Sequence, residues 1–235
     1  MMPAEGGHGP TILAFDTSLP QISAAVLSGG IVVEREEAMH RGQAERLIPL
    51  LADLMTATGV TWRDMDLIAV GIGPGNFTGT RISVAAARGL ALGLGIPAIG
   101  VSLFEVLRDP QTPSTEPAAL LSLEAPRGMA IVQAFSNGKP NAPPQVIDPA
   151  ARPLDLDLPH GAAVRGFRAD EIARPFGSSF EAVGPAQVAA RMARLAALRA
   201  GEADFDPAAR PAPLYVRPAD AKPPADAPPV ILDDA

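Results

Sequence analysis

Apolar positions along this chain fall into two periods. Residues 11–15, 22–27, 31–36 and 67–70 are short apolar or alternating runs, which predict buried or half-buried strands, whereas 43–58 and 78–94 carry apolar residues at helical spacing. The runs 22–27 and 31–36 flank Ser28, Gly29 and Gly30, so the first three strands are expected as a meander closed by a glycine hairpin. Within 43–58, Ala44, Leu47, Ile48, Leu51, Leu54 and Met55 mark one face and Gly59 supplies a C-terminal stop. Pro49 removes one internal hydrogen bond and is expected to bend that helix. Trp62 is expected to anchor, by burial, the turn that leads into 67–70.

Downstream, 96–101 reads as a strand and 102–107 as the start of a helix. Residues 109–117 are rich in Pro, Thr and Ser and mark a lobe boundary. Residues 118–123 and 129–135 are expected to pair as strands, with Asn137 and Gly138 making the next turn. The proline-rich stretch 141–159 has little periodicity, and 162–164 is a short strand before Gly166. Residues 185–200 form an alanine-rich amphipathic helix with Val188, Met192, Leu195 and Leu198 on its apolar side. Beyond 201 only Leu214, Tyr215 and Val216 are suited to docking on the body, and 218–235 is expected to be disordered.

The densest information lies in 70–94, VGIGPGNFTGTRISVAAARGLALGL. A strand runs into a glycine-rich turn and then into a helix for which Thr78 is the expected N-cap. Glycines that admit a phosphate, next to the unpaired N–H groups of a helix start, make an anion site. With Asp16 and Thr17 at the end of the first strand, Gly73 and Gly75 are the candidate nucleotide contacts. The alternative is a tight connection that needs glycine only for its dihedrals, with Asp16 capping its own turn. Along the helix, Ser83, Ala87 and Ala91 line one side and Ala85, Gly89 and Gly93 the next. Glycine within a helix costs about 1 kcal/mol relative to alanine. Two of them therefore suggest close approach by another helix, either 43–58 or one from a partner subunit.

Composition narrows the chemistry. A formal charge of −7 argues against free-standing nucleic-acid binding, which needs clustered Lys and Arg. The absence of cysteine excludes disulfides and thiolate metal sites. The start MMPAEGGHGP lacks the basic and apolar regions of a signal peptide, and no run is apolar enough to span a bilayer, so a soluble cytoplasmic protein is expected. The glycine loop fits neither the P-loop nor the dinucleotide pattern, because no Lys is near and Asn76 stands where the latter needs its third glycine. There is no G-x-S-x-G elbow and no H-E-x-x-H, and His8, His40 and His160 are the only histidines. His40 lacks a second ligand at metal spacing and reads as solvated or capping. Asp155 and Asp157 read as solvated loop carboxylates.

GIGPGNFTGTRISVAAARGLALGLGIPAIGVS, preceded by ILAFDTS, closely resembles the bacterial TsaB family of tRNA threonylcarbamoyladenosine biosynthesis proteins, once labelled glycoprotease-like. The likeness is specific over residues 11–107 and continues through LEAPRG, Gly166 and PLYVRP. LEAPRG departs from the family's usual acidic residue, Ala-Arg and Gly. The resemblance implies an α/β chain of the actin-like, Hsp70-type ATPase fold, with two lobes that each carry a mixed sheet and flanking helices. The lobes would be 11–109, joined by the C-terminal helix if that packs back, and a smaller, degenerate 110–217.

It also implies a non-catalytic dimerisation subunit. In the catalytic paralogue TsaD a pair of histidines binds the metal that holds the nucleotide, and the corresponding positions here are Leu103 and Leu107. Pairing would run through helices 43–58 and 78–94, with Leu47, Leu51, Arg81, Ser83, Ala87, Gly89 and Ala91 at the interface. The expected partners are TsaD and the ATPase subunit TsaE, together with self-association in isolation. Transfer RNA, modified at adenosine 37, would be met only through the complex. No cofactor is expected, and any ATP or ADP binding would be weak. The competing reading is an enzyme in its own right, either a nucleotide-dependent transferase or a protease.

Overall fold

The computed structural model describes residues 9–108, 118–154, 156, 158 and 161–216. The expected boundary at 109–117, the tail at 218–235, Asp155, Asp157, His8 and His160 lie outside the described residues. The first lobe opens with β1 (Ile12–Asp16), β2 (Gln21–Ser28) and β3 (Ile31–Ala38), an antiparallel meander. Gly29 and Gly30, both at positive φ, form its two-residue hairpin turn. Then come α1 (Gln43–Thr58), β4 (Leu67–Gly71), α2 (Phe77–Leu94), β5 (Ala98–Val101) and α3 (Leu103–Arg108). The sheet order is β3-β2-β1-β4-β5, with β4 and β5 parallel to β1.

The second lobe repeats this plan. It comprises β6 (Ala118–Glu124), β7 (Ala130–Ser136), β8 (Lys139–Pro140), β9 (Gln145–Ile147), β10 (Ala163–Gly166), α4 (Ala169–Ala173) and β11 (Phe180–Glu181). The order β11-β10-β6-β7-β8, with β9 also on β7, mirrors the first sheet strand for strand. An antiparallel hairpin starts each lobe, and two parallel strands extend it on the other side.

Period-two alternation on β1 splits the first lobe's core. Leu13 and Phe15 face Leu47, Leu50, Leu51 and Leu54 of α1 and Val84 and Ala87 of α2. Ile12 and Ala14 face Phe104 of α3 and α5 (Val188–Ala200), and that cluster continues into Leu121, Leu123 and Phe135 of the second lobe. Polar ties hold α5 there. Ala190 N–H donates to Glu34 Oε1 at 3.0 Å, and Arg199 bonds the Gly100 carbonyl and pairs with Glu105.

α5 packs on β1, β2 and β4 of the first lobe, the arrangement allowed for in the C-terminal helix. Several expectations change. This helix starts at Val188 rather than 185, and Leu198 is exposed. The buried side is Val188, Ala189, Met192, Ala193, Leu195 and Ala196, whose alanines let the helix sit close to the sheet. The stretch 141–159 contains β9, and β8, α4 and β11 were also unforeseen, because elements of two to five residues carry no readable period. Trp62 is only half-buried, packed at the edge of the α1 cluster.

Candidate functional site

The turn leaving β1 and the loop between β4 and α2 meet face to face. Ser18 donates to Asp16 Oδ1 through both its backbone N–H and its hydroxyl, each at 2.9 Å, and Thr17 Oγ1 donates to the Gly79 carbonyl at 2.6 Å. A Cβ at Gly71 would overlap the Asp16 carboxylate, and one at Gly79 would overlap the Thr17 carbonyl. Gly75, the third member of this four-residue spacing, meets Ser18 in the same way. These glycines admit a neighbouring piece of chain. Burial raises the Asp16 carboxyl above its ordinary range, against the hydrogen bonds from Ser18 and Leu19 that favour its charged form.

The helix start is occupied too. Asn76, not Thr78, is the N-cap: its Oδ1 accepts from Thr78 N–H at 2.9 Å and Gly79 N–H at 3.0 Å, while Thr80 N–H bonds the Asn76 carbonyl. A short side chain two residues earlier reaches two amides at once, whereas Thr78 already lies inside the helix. The structure therefore brings Asp16, Thr17 and Gly75 together, as expected, but around each other. Gly73, at φ +82°, accepts from Leu103 N–H and ties the loop to α3. Leu103 and Leu107 are buried in the apolar core. Among the described residues no group of three or more His, Asp or Glu is placed to hold a metal ion, and His40 is exposed.

The expected interface residues divide. Leu47, Leu51, Ser83 and Ala87 are core residues: the apolar stripe of α1 and the inner side of α2 both turn onto the sheet, and Ser83 Oγ donates to the Gly71 carbonyl. This removes those four from any surface. Arg81 and Gly89 are exposed, and Ala91 is half-buried. The open side of α2 runs through Arg81, Ala85, Arg88, Gly89, Leu92 and Gly93, with Leu92 80% exposed. Among the described residues nothing lies where a Cβ would project from Gly89 or Gly93, so α1 does not cover them. At the start of α2, Phe77 and Arg81 are met by Tyr215, part of the LYV segment expected to dock. Neither Phe77 nor the role of Tyr215 at this face was read from the sequence. An aromatic residue within a Pro- and Ala-rich segment is the signal that marks the latter.

Two lobes with one strand plan, each a mixed sheet flanked by helices, place the chain in the actin-like, Hsp70-type ATPase fold class. The sequence model of the family described as TsaD, tRNA N6-adenosine threonylcarbamoyltransferase, matches residues 14–213, and the chain belongs to that family. It is 42% identical over 91 residues to the tRNA threonylcarbamoyladenosine biosynthesis protein TsaB of Escherichia coli (strain K12), an alignment covering 39% of each chain. It is 36% identical over 92 residues to the TsaB of Haemophilus influenzae, again covering 39% of each. The chain thus spans well under half the length of these curated relatives. A crystal structure of a Pseudomonas aeruginosa protein with similarity to peptidase YeaZ matches at TM-score 0.70 and 25% identity, covering 88% of this chain and 100% of that one. YeaZ from the same organism matches at 0.62 and 26%, covering 81% and 93%. The resemblance to TsaB seen in the sequence is borne out.

Proposed function

We propose that the chain takes part in tRNA threonylcarbamoyladenosine biosynthesis as a non-catalytic subunit that pairs with the catalytic transferase TsaD through the outer side of α2. The curated TsaB relatives support the pathway. The open small-residue surface of α2, with Leu92 exposed, is the observation that carries the pairing. Two glycines left uncovered within a helix gain nothing from the described residues around them. The supporting role rests on Leu103 and Leu107 at the positions aligned with the metal histidines, and on helix-start amides already taken by Asn76. In this reading ATP or ADP binds weakly at most, TsaE joins the complex, and the free chain self-associates through the same surface. The complex works in the cytoplasm, and tRNA is engaged only by the assembly.

Reconstitution tests this. Threonylcarbamoyl transfer to tRNA by TsaD and TsaE is measured with and without this chain. Strong dependence on the chain is expected, and equal activity in its absence refutes the accessory role. On a sizing column, Gly89→Leu is expected to abolish co-elution with TsaD while leaving the melting temperature near that of the parent. Co-elution at parental strength removes α2 as the pairing surface.

A further inference from the structure

At the N-terminal end of the open side of α2, three side chains from distant parts of the sequence form one cluster. The guanidinium of Arg81 lies over the Phe77 ring, 3.7 Å from its centroid, and 5.7 Å from the Tyr215 centroid. The two rings are themselves 5.7 Å apart and tilted by 42°. Arg81 Nε–H donates to Tyr215 Oη at 3.0 Å. Tyr215 is held in turn by a backbone strap, in which Leu214 N–H donates to the Ile72 carbonyl at 2.9 Å and Pro211 packs buried against Gly100. Yet Phe77 and Tyr215 remain 53% and 52% exposed. An arginine normally loses much side-chain freedom on binding, and here that freedom is already restricted.

The hydrogen bond uses only Nε–H. Among the described residues nothing takes the two terminal NH2 groups of Arg81, and no acidic side chain pairs with it. A planar fork laid over the Phe77 ring and held at Nε by Tyr215 matches a carboxylate in bidentate geometry. Aromatic residues and arginine are also the types that dominate binding energy at protein interfaces. The cluster is continuous with Ala85, Gly89 and Leu92 along one helix.

We infer that Arg81, held in place by Phe77 and Tyr215, is the preorganised anchor of the partner-binding surface and takes a carboxylate side chain of the catalytic subunit, so that the 211–216 strap is part of that surface. This rests on the pairing proposed above. Tyr215 acts through Arg81 and is a positioning residue.

The test is the dissociation constant of the full chain for the catalytic subunit at two ionic strengths, with each variant's melting curve recorded. Arg81→Ala is expected to weaken binding at least about tenfold and to flatten its salt dependence. Arg81→Lys, which keeps charge but not the fork, is expected to fall between Arg81→Ala and the parent. Tyr215→Ala should approach Arg81→Ala, and Tyr215→Phe, which loses only the hydroxyl, should cost about threefold. If Arg81→Ala and Tyr215→Ala bind like the parent while Gly89→Leu does not, the anchor is refuted and the α2 pairing stands. If Gly89→Leu also binds like the parent, both fall. Saturable binding of tRNA alone that is lost in Arg81→Ala would assign the fork to phosphate and overturn the carboxylate.

Discussion

The loop before α2 and the outer side of α2 lie a few residues apart and share a composition of small residues, yet their surroundings are opposite. In the loop, Gly71, Gly75 and Gly79 are filled by the Asp16–Ser18 turn, and Asn76 and Thr17 satisfy polar groups that a ligand would otherwise meet. On the helix, no described residue approaches Gly89 or Gly93. Glycine in the first setting is required by a neighbour already present. In the second no described residue requires it, and the proposed pairing supplies the neighbour. A glycine-rich turn is therefore weak grounds for a phosphate site until its amides are accounted for.

Substitutions sharpen this contrast. The largest effect is expected at Gly79→Ala, where the new methyl meets the Thr17 carbonyl. Because the obstacle is backbone, a loss of about 3 kcal/mol is expected in urea denaturation. Parental stability would show that the turn and the loop are not in close contact. Asn76→Ala leaves two helix-start amides without their acceptor and is expected to cost about 1 kcal/mol by the same measurement.

Gly89→Ala should go the other way. With no neighbour to meet, it is expected to stabilise the isolated chain by about 0.8 kcal/mol. A destabilising result would place an unrecognised contact on that surface.

Smallest at acid pH, and growing as pH rises, is the effect of Asp16→Asn. Burial raises the Asp16 carboxyl in the folded state above its unfolded value. Its favourable contribution is therefore complete below the ordinary carboxylate range and is lost as pH rises through the folded value. Asn keeps an acceptor for Ser18 N–H but cannot ionise, so the variant's stability should fall less with rising pH. Glu34 is raised as well, chiefly by burial, so a residual slope is expected. An unchanged pH profile would show that Asp16 is not desolvated.

Much of the first lobe was legible because its elements are long. β2 and β3 run for eight residues each on either side of the Gly29–Gly30 turn, and α1 runs from Gln43 to Thr58, as its apolar spacing and Gly59 stop predict. The second lobe was less so, since β8, β9 and β11 have two or three residues and depend on β7 and β10 to exist. At the candidate site, the glycine loop and Asp16 were picked out correctly as neighbours, but what fills the loop was not visible. The small-residue helix is legible too, whereas Leu47, Leu51, Ser83 and Ala87, expected at an interface, lie on faces that the fold turns inward.

Periodicity and turn chemistry, read from the sequence alone, were enough for the meander, the strand-loop-helix unit and the presence of a helix with too many small residues. Each of these is written in residues close together along the chain. Which side of that helix is buried, that Asn76 rather than a ligand takes its first amides, and that Tyr215 reaches Arg81 were decided only in three dimensions. The physical reason is the same in each case: these outcomes depend on groups far apart in sequence, 134 positions for Arg81 and Tyr215 and 62 for Thr17 and Gly79, that only the folded sheets bring into contact.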